Sequence, residues 1–154
     1  MEDWPWKISL LDIRNRWIGK TIPYPHDKKD LYGQCVQLIR YCLDIHYKKP
    51  QWGLLVAAAD FWHKYNDDYN IKTYWDKMPY ISSFVPIEGD ICIWDYPHGG
   101  GVYGHIGIVF GKEQSAKQFT CLESNWSRRL KVTVETHNQW GVLGFFRLKK
   151  KEGE

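Results

Sequence analysis

Two of the four cysteines stand seven residues apart in YGQCVQLIRYC, residues 32–42. Only Cys35 is placed for chemistry. It follows Gly33 and Gln34 at the predicted start of a helix. The first turn of a helix has unpaired N–H groups and the positive end of the dipole. Both favour a thiolate, so the Cys35 pKa is expected to fall. Cys42 lies two turns further along and reads as core packing. The two cannot bridge, because seven helical residues span roughly 10 Å, beyond the roughly 7 Å limit between bridged Cα atoms.

A nucleophilic thiol needs a base. Six histidines are available. His26 lies in a loop, His46 and His63 fall late in predicted helices, and His98 sits in a Pro-His-Gly-Gly-Gly run. His137 closes a predicted strand. His105 differs, since it opens HIGIV directly after Gly104. A histidine at a strand start can face a cleft while the following residues lock its backbone in a sheet. The alternative is a structural strand histidine. A base in turn needs an orienting partner. LESNW sets Glu123 and Asn125 two apart in a predicted strand, and therefore on one face. One could fix the imidazole tautomer and the other could help stabilise an oxyanion. A polar, solvent-facing strand edge is the plainer alternative. HGGG at 98–101 has no GxSxG partner, so it reads as a flexible lip and not as a lipase-type oxyanion hole.

These side chains must be held by something. Residues 7–18 place Ile8, Leu11, Ile13 and Trp17 at near-helical spacing. TIPYPHDKKDLYG breaks that pattern with two prolines, charges and a glycine. A helix over about 34–46 carries Cys35, Leu38, Ile39, Cys42 and Ile45 on one face, and a third, over about 54–65, has an alanine-rich centre. The second half reads as strands at 91–94, 104–111, 118–126, 131–137 and 141–149, separated by glycine or polar turns. Residues 66–88 read as loop. Helices first and an antiparallel sheet after make an α+β domain.

Composition limits the functions that fit. The chain has 154 residues, 44% hydrophobic and 25% charged, enough for one domain with its own core. Its net charge of +3 comes from scattered basic residues, too weak a field to argue for nucleic acid, though it would steer the chain towards an anionic polymer. Nine tryptophans suit either a sugar-rich target or an aromatic core. No run approaches the roughly 18 apolar residues of a membrane span. MEDWPWKISLL has no basic segment followed by an apolar one, so no secretory signal is expected. The four cysteines, at 35, 42, 92 and 121, have no zinc-finger spacing.

The order Cys, His, Glu, Asn along a helix-then-sheet chain resembles the CHAP domains, the cysteine, histidine-dependent amidohydrolases/peptidases of phage endolysins and bacterial wall hydrolases. The matching pieces are YGQC at 32–35, GDICIW at 89–94, GHIGIV at 104–109, ESN at 123–125 and GFFRLK at 144–149. LLVAAADFW resembles the family's second helix. The resemblance implies a papain-like fold over residues 1–148, with N-terminal helices packed on an antiparallel sheet and 149–154 as a polar tail or linker. It implies Cys35 as nucleophile, His105 as base and Glu123 as its orienter. Asn125 would orient His105 too or assist at the oxyanion, and Gln34 would line the site. The substrate it implies is peptidoglycan, cut at an amide by an N-acetylmuramoyl-L-alanine amidase or an endopeptidase. The setting it implies is phage lysis. The protein would be made in the host cytoplasm and act on the wall through a holin or from a virion tail, with a separate C-terminal wall-binding domain as a possible companion.

Several phage members resemble an EF-hand just before the cysteine. Here the loop reads HDKKDLYGQCVQ. Asp27 and Asp30 are acids, but Lys28 and Lys29 lie between them, and Gln37 stands where an aspartate would. Calcium takes six to eight oxygens, usually several of them carboxylate, so calcium is disfavoured and no metal or other cofactor is expected. Two other readings fit the same residues. One is a non-catalytic wall-binding or virion structural module. The other is an NlpC-type or papain-like cysteine peptidase with another substrate.

Overall fold

The computed structural model describes residues 9–23, 33–46, 57–95, 104–125 and 130–149. Helix α1 (Leu10–Trp17) is N-capped by Ser9, whose hydroxyl accepts the Asp12 N–H. It buries Leu10 and Ile13, while Leu11 is 54% exposed. The inward face is therefore offset from the one expected through Leu11. Helix α2 (Cys35–His46) buries Cys35, Leu38, Ile39 and Cys42, as its periodicity predicts. Helix α3 (Ala58–His63) is shorter than the expected 54–65, whose first residues lie outside the described ones.

Residues 66–88 are not all loop. A short 3-10 turn (Tyr65–Asp67) leads to α4 (Tyr69–Tyr74), capped by Asp68 through the Ile71 N–H, and then to strand β1 (Trp75–Pro79). Strands β2 (Ile91–Trp94), β3 (His105–Val109), β4 (Phe119–Ser124), β5 (Val132–His137) and β6 (Val142–Leu148) follow. They form one antiparallel six-stranded sheet in the order β1-β6-β2-β3-β4-β5. The α+β class with helices before an antiparallel sheet is the one expected, and β1 adds an edge strand. Lys149 donates its backbone N–H to Tyr74 beyond the end of β6, and the rest of the expected tail lies outside the described residues.

Both faces of the sheet are covered, which is why β2 and β3 read as continuous apolar runs. Ile91, Ile93, Ile106, Ile108, Leu122, Val132 and Phe146 share a core with α1, α2 and α3. The alternate residues Cys92, Trp94, Val109, Phe119, Cys121 and Phe145 form a second core with Met78, Tyr80 and Phe84. Asp90, in the turn before β2, joins the two ends of this arrangement. It accepts the Ile87 N–H and takes the Arg147 guanidinium of β6 on both oxygens, at 3.0 and 2.7 Å. That fork ties the GDICIW segment to the GFFRLK segment.

The sheet coils strongly. Register sets Trp94 opposite His105 and, further along, Phe119 opposite His137. Yet the Trp94 ring lies 6.1 Å from that of Phe119 and 4.6 Å from that of His137. The twist of antiparallel strands brings these rows together.

Candidate active site

Cys35 is the first residue of α2, placed by the turn ahead of it. Gly33 makes that turn at φ +82°, and a Cβ there would lie 2.5 Å from the Leu130 carbonyl oxygen. No other residue type fits both conditions. Ser124 at the end of β4 donates its hydroxyl to the Gly33 carbonyl at 2.5 Å, buried from solvent. The start of α2 is thereby fixed to β4. The backbone N–H groups of Ile106, the residue after His105, of Val36 and of Cys35 itself all act on the Cys35 thiol in the direction of the thiolate.

His105 opens β3 and is fully buried. Gly104 before it sits at φ +72°, with the Trp94 carbonyl only 2.5 Å from where a Cβ would be. This close turn feeds His105 into the sheet. His105 Nε2 lies 2.7 Å from Glu123 Oε1, and Glu123 is also fully buried. The imidazole thus has the orienting carboxylate expected of it.

Asn125 does not share a strand face with Glu123. β4 ends at Ser124, and Asn125 turns away at φ +65°. Asparagine is one of the few side chains that tolerate this region. Its Nδ2 donates to Gln34 Oε1 at 2.9 Å. Asn125 therefore holds the residue before the thiol and not the imidazole. Three consecutive residues, Glu123, Ser124 and Asn125, reach His105, Gly33 and Gln34 respectively.

One further residue belongs to the group. His137 Nε2 contacts the second oxygen of Glu123. In register, Glu123 is four residues from Phe119, the partner of His137, about 13 Å along a flat strand. Only the coil of the sheet closes that gap, so no local pattern in the sequence marks His137.

The electrostatics correct one expectation. The Cys35 thiol is not lowered. Burial pushes it from 9.0 up to about 12, although the N–H groups of Ile106, Val36 and Cys35 act in the opposite direction. That rise corresponds to about 4 kcal/mol, whereas a helix N-terminus supplies at most about 2 kcal/mol. Desolvation wins, and the thiol rests protonated. Burial likewise pushes Glu123 up to about 7, against the lowering effect of His105. His137 is pushed by burial down to about 4. The other three cysteines, Cys42, Cys92 and Cys121, are free thiols with no exposed surface, all raised by burial.

Among the described residues no three His, Cys, Asp or Glu side chains are arranged so that they could hold a metal ion, and none of the helices is long and apolar enough to cross a membrane. The loop with Asp27 and Asp30 and the HGGG run lie outside the described residues. Gln37, at the expected aspartate position, is a buried amide on α2.

Comparison with known proteins agrees with this architecture. Among solved structures, Ly7917 with the hydrolysing product of MDP superposes with a TM-score of 0.57 at 18% identity, over 75% of this chain and 54% of that one. The wild-type endolysin LysIME-EF1 superposes with a TM-score of 0.55 at 20% identity, over 89% of this chain and 61% of that one. The chain thus corresponds to little more than half the length of these structures, and the likeness is one of fold. No curated protein matches the chain. The family model of the CHAP domain matches residues 24–125, a span that runs from the loop before Cys35 through Asn125. The chain belongs to the CHAP domain family.

Proposed function

We propose that this chain hydrolyses an amide bond of bacterial peptidoglycan with Cys35 as nucleophile, in the setting of phage lysis of the wall. The observation that carries the reading is the join at the start of β3. The Ile106 N–H acts on the Cys35 thiol, and the neighbouring His105 is held by Glu123 at 2.7 Å. In the tautomer that donates Nε2–H to Glu123, the lone pair is on Nδ1, which acts as the base.

The mechanism follows from the resting charges. The buried thiol transfers its proton to His105 as the sulfur attacks the scissile carbonyl carbon. The imidazolium so formed supplies the positive charge that the buried Glu123 carboxylate lacks. The tetrahedral oxyanion is met by the Cys35 backbone N–H and the Gln34 side-chain amide. Gln34 Oε1 is already held by Asn125, which directs its NH2 group to donate. Collapse breaks the C–N bond, His105 gives its proton to the leaving amine, and a thioester remains on Cys35. Water, deprotonated by His105, then releases the carboxylic acid and restores the thiol.

One observation favours the non-catalytic module instead: burial keeps the Cys35 thiol protonated in the resting state. Purified peptidoglycan separates the two readings. Under the catalytic reading, the wild type releases soluble fragments and Cys35→Ala, with an unchanged circular dichroism spectrum, releases none. Wall binding without fragments from the wild type would support the module. Mass analysis of the fragments assigns the bond: a free lactyl carboxyl on the sugar with a free amine at the start of the stem peptide marks an amidase, and a new carboxyl and amine within the peptide, the lactyl amide intact, an endopeptidase.

A further inference from the structure

Glu123 commits both of its oxygens to imidazoles, Oε1 to His105 and Oε2 to His137. We propose that His137 is a positioning residue for the reaction, holding Glu123 Oε2 so that Oε1 stays in line with His105 Nε2. The proposal rests on the reading of His105 as the base.

Geometry carries it in two ways. The terminal torsion of a glutamate is broad and nearly two-fold. A carboxylate gripped at one oxygen can rotate about that contact, whereas one gripped at both cannot. The second observation is Trp94, whose ring packs 5.2 Å from His105 and 4.6 Å from His137. One indole therefore buttresses both imidazoles, and the carboxylate joins them at their tips. His105 comes from β3, Glu123 from β4, His137 from β5 and Trp94 from β2. The coil of four strands is built around this contact.

Charge explains why a histidine suits the position. Buried and uncharged at neutral pH, His137 donates an N–H to the carboxylate without adding a second cation. The proton from the thiol then has one destination, His105. The other titratable group acting on the pair is Glu135 on β5, and Glu123 in turn raises the thiols of Cys35, Cys92 and Cys121 from α2, β2 and β4. Glu135 raises both Glu123 and His137, so it opposes the burial of the histidine and adds to that of the acid.

The test uses His137→Phe, which keeps a ring but loses the donor, and His137→Gln, whose Nε2 replaces the imidazole Nε2. With Cys35 intact, kcat on peptidoglycan should fall about tenfold in His137→Phe with KM unchanged, equivalent to one charge-assisted hydrogen bond. In a Cys35→Ala background, the ring N–H proton of His105 that faces Glu123 is observed by NMR. Its resonance should move in His137→Phe, because a carboxylate released at Oε2 can turn away from His105. His137→Gln should restore both kcat and the resonance. If His137→Phe moves neither kcat nor the His105 resonance, or if the Gln variant behaves like the Phe variant in both, the proposal is overturned. Wall cleavage by Cys35→Ala would instead overturn the cysteine mechanism, and the resonance would still report on the contact between His137 and Glu123.

Discussion

Asn125 donates its side-chain amide to Gln34 Oε1 at 2.9 Å, linking the end of β4 to the residue just before the thiol. The family motif places an asparagine two residues after the glutamate, which invites a role on the imidazole. Its left-handed backbone sends it to Gln34 instead. If Asn125 works by orienting Gln34, the two act as one unit. Asn125→Ala and Gln34→Ala should each lower kcat by about 10²-fold, the scale of one lost oxyanion donor. The double variant should be little worse than either single one. A double-mutant cycle on peptidoglycan hydrolysis measures this, and simple additivity would separate the two residues.

The cysteines should differ sharply in access. Cys35 retains 9% of its surface, whereas Cys42, Cys92 and Cys121 retain none. Iodoacetamide on the native protein should therefore label Cys35 alone, with the other three reacting only in denaturant. Burial holds the Cys35 thiol up at about 12, so on the proposed mechanism the reactive thiolate forms by proton transfer to His105. Labelling of Cys35 in His105→Ala should slow by at least about tenfold at pH 7. Peptide mass readout across the four cysteines checks both statements.

Glu123 makes a pH-dependent contribution to stability. Its folded pKa, about 7, is above the ordinary 4.5. The folded state binds the proton more tightly, so this contribution is greatest below pH 4.5 and is lost as pH rises through 7. His137 runs the other way. Its folded value of about 4 lies below 6.5, so stability is lost as pH falls from 6.5 to 4. Between pH 4.5 and 6.5 the two slopes oppose each other. Glu123→Gln removes the first slope and leaves the second, whose main cause is burial of His137 itself. The variant should gain about 1–3 kcal/mol relative to the wild type between pH 5 and pH 8. Urea unfolding at the two pH values measures the change, and catalysis should be lost in the same variant.

Calcium should leave activity unchanged. Lys28 and Lys29 stand between Asp27 and Asp30, and Gln37 offers a neutral amide where an acid would be needed. Two carboxylates with two lysines fall well short of the usual ligand set. Hydrolysis after dialysis against EDTA should match hydrolysis in millimolar calcium within about twofold. A loss on chelation that calcium restores would show that the loop binds the ion.

How much was legible beforehand depended on how local the cause was. The helix bearing Cys35 was readable because Leu38, Ile39 and Cys42 repeat on one face. β2 and β3 were readable as short β-branched runs. β1 was hidden because it is an edge strand carrying Asp76 and Lys77 and ending in Pro79, with only Trp75 fully buried. α4 has six residues, too few to show a period. Cys35, His105 and Glu123 could be picked out from type and order, and Glu123 does meet His105. The pKa direction of Cys35 is not legible in the sequence, because desolvation depends on the tertiary packing around the helix start. His137 is not marked there either, because its partner is chosen by the coil of the sheet.

Ser124 gives the last prediction, because its hydroxyl joins the strand carrying Glu123 to the turn carrying Cys35. The bond to the Gly33 carbonyl is buried, and nothing in Ser124→Ala replaces it. An unpaired buried acceptor costs about 1–3 kcal/mol. A purely structural bond would lower stability and leave turnover at the permissive temperature intact. On the proposed mechanism this bond, which ties the turn before Cys35 to the strand carrying Glu123, also aligns the site, so turnover should fall as well, by about tenfold or more. Urea unfolding gives the first quantity, and kcat measured well below the unfolding midpoint gives the second. Ser124→Thr keeps the hydroxyl and should recover turnover even where its extra methyl lowers stability. Recovery of stability without turnover would detach this bond from the alignment of the site.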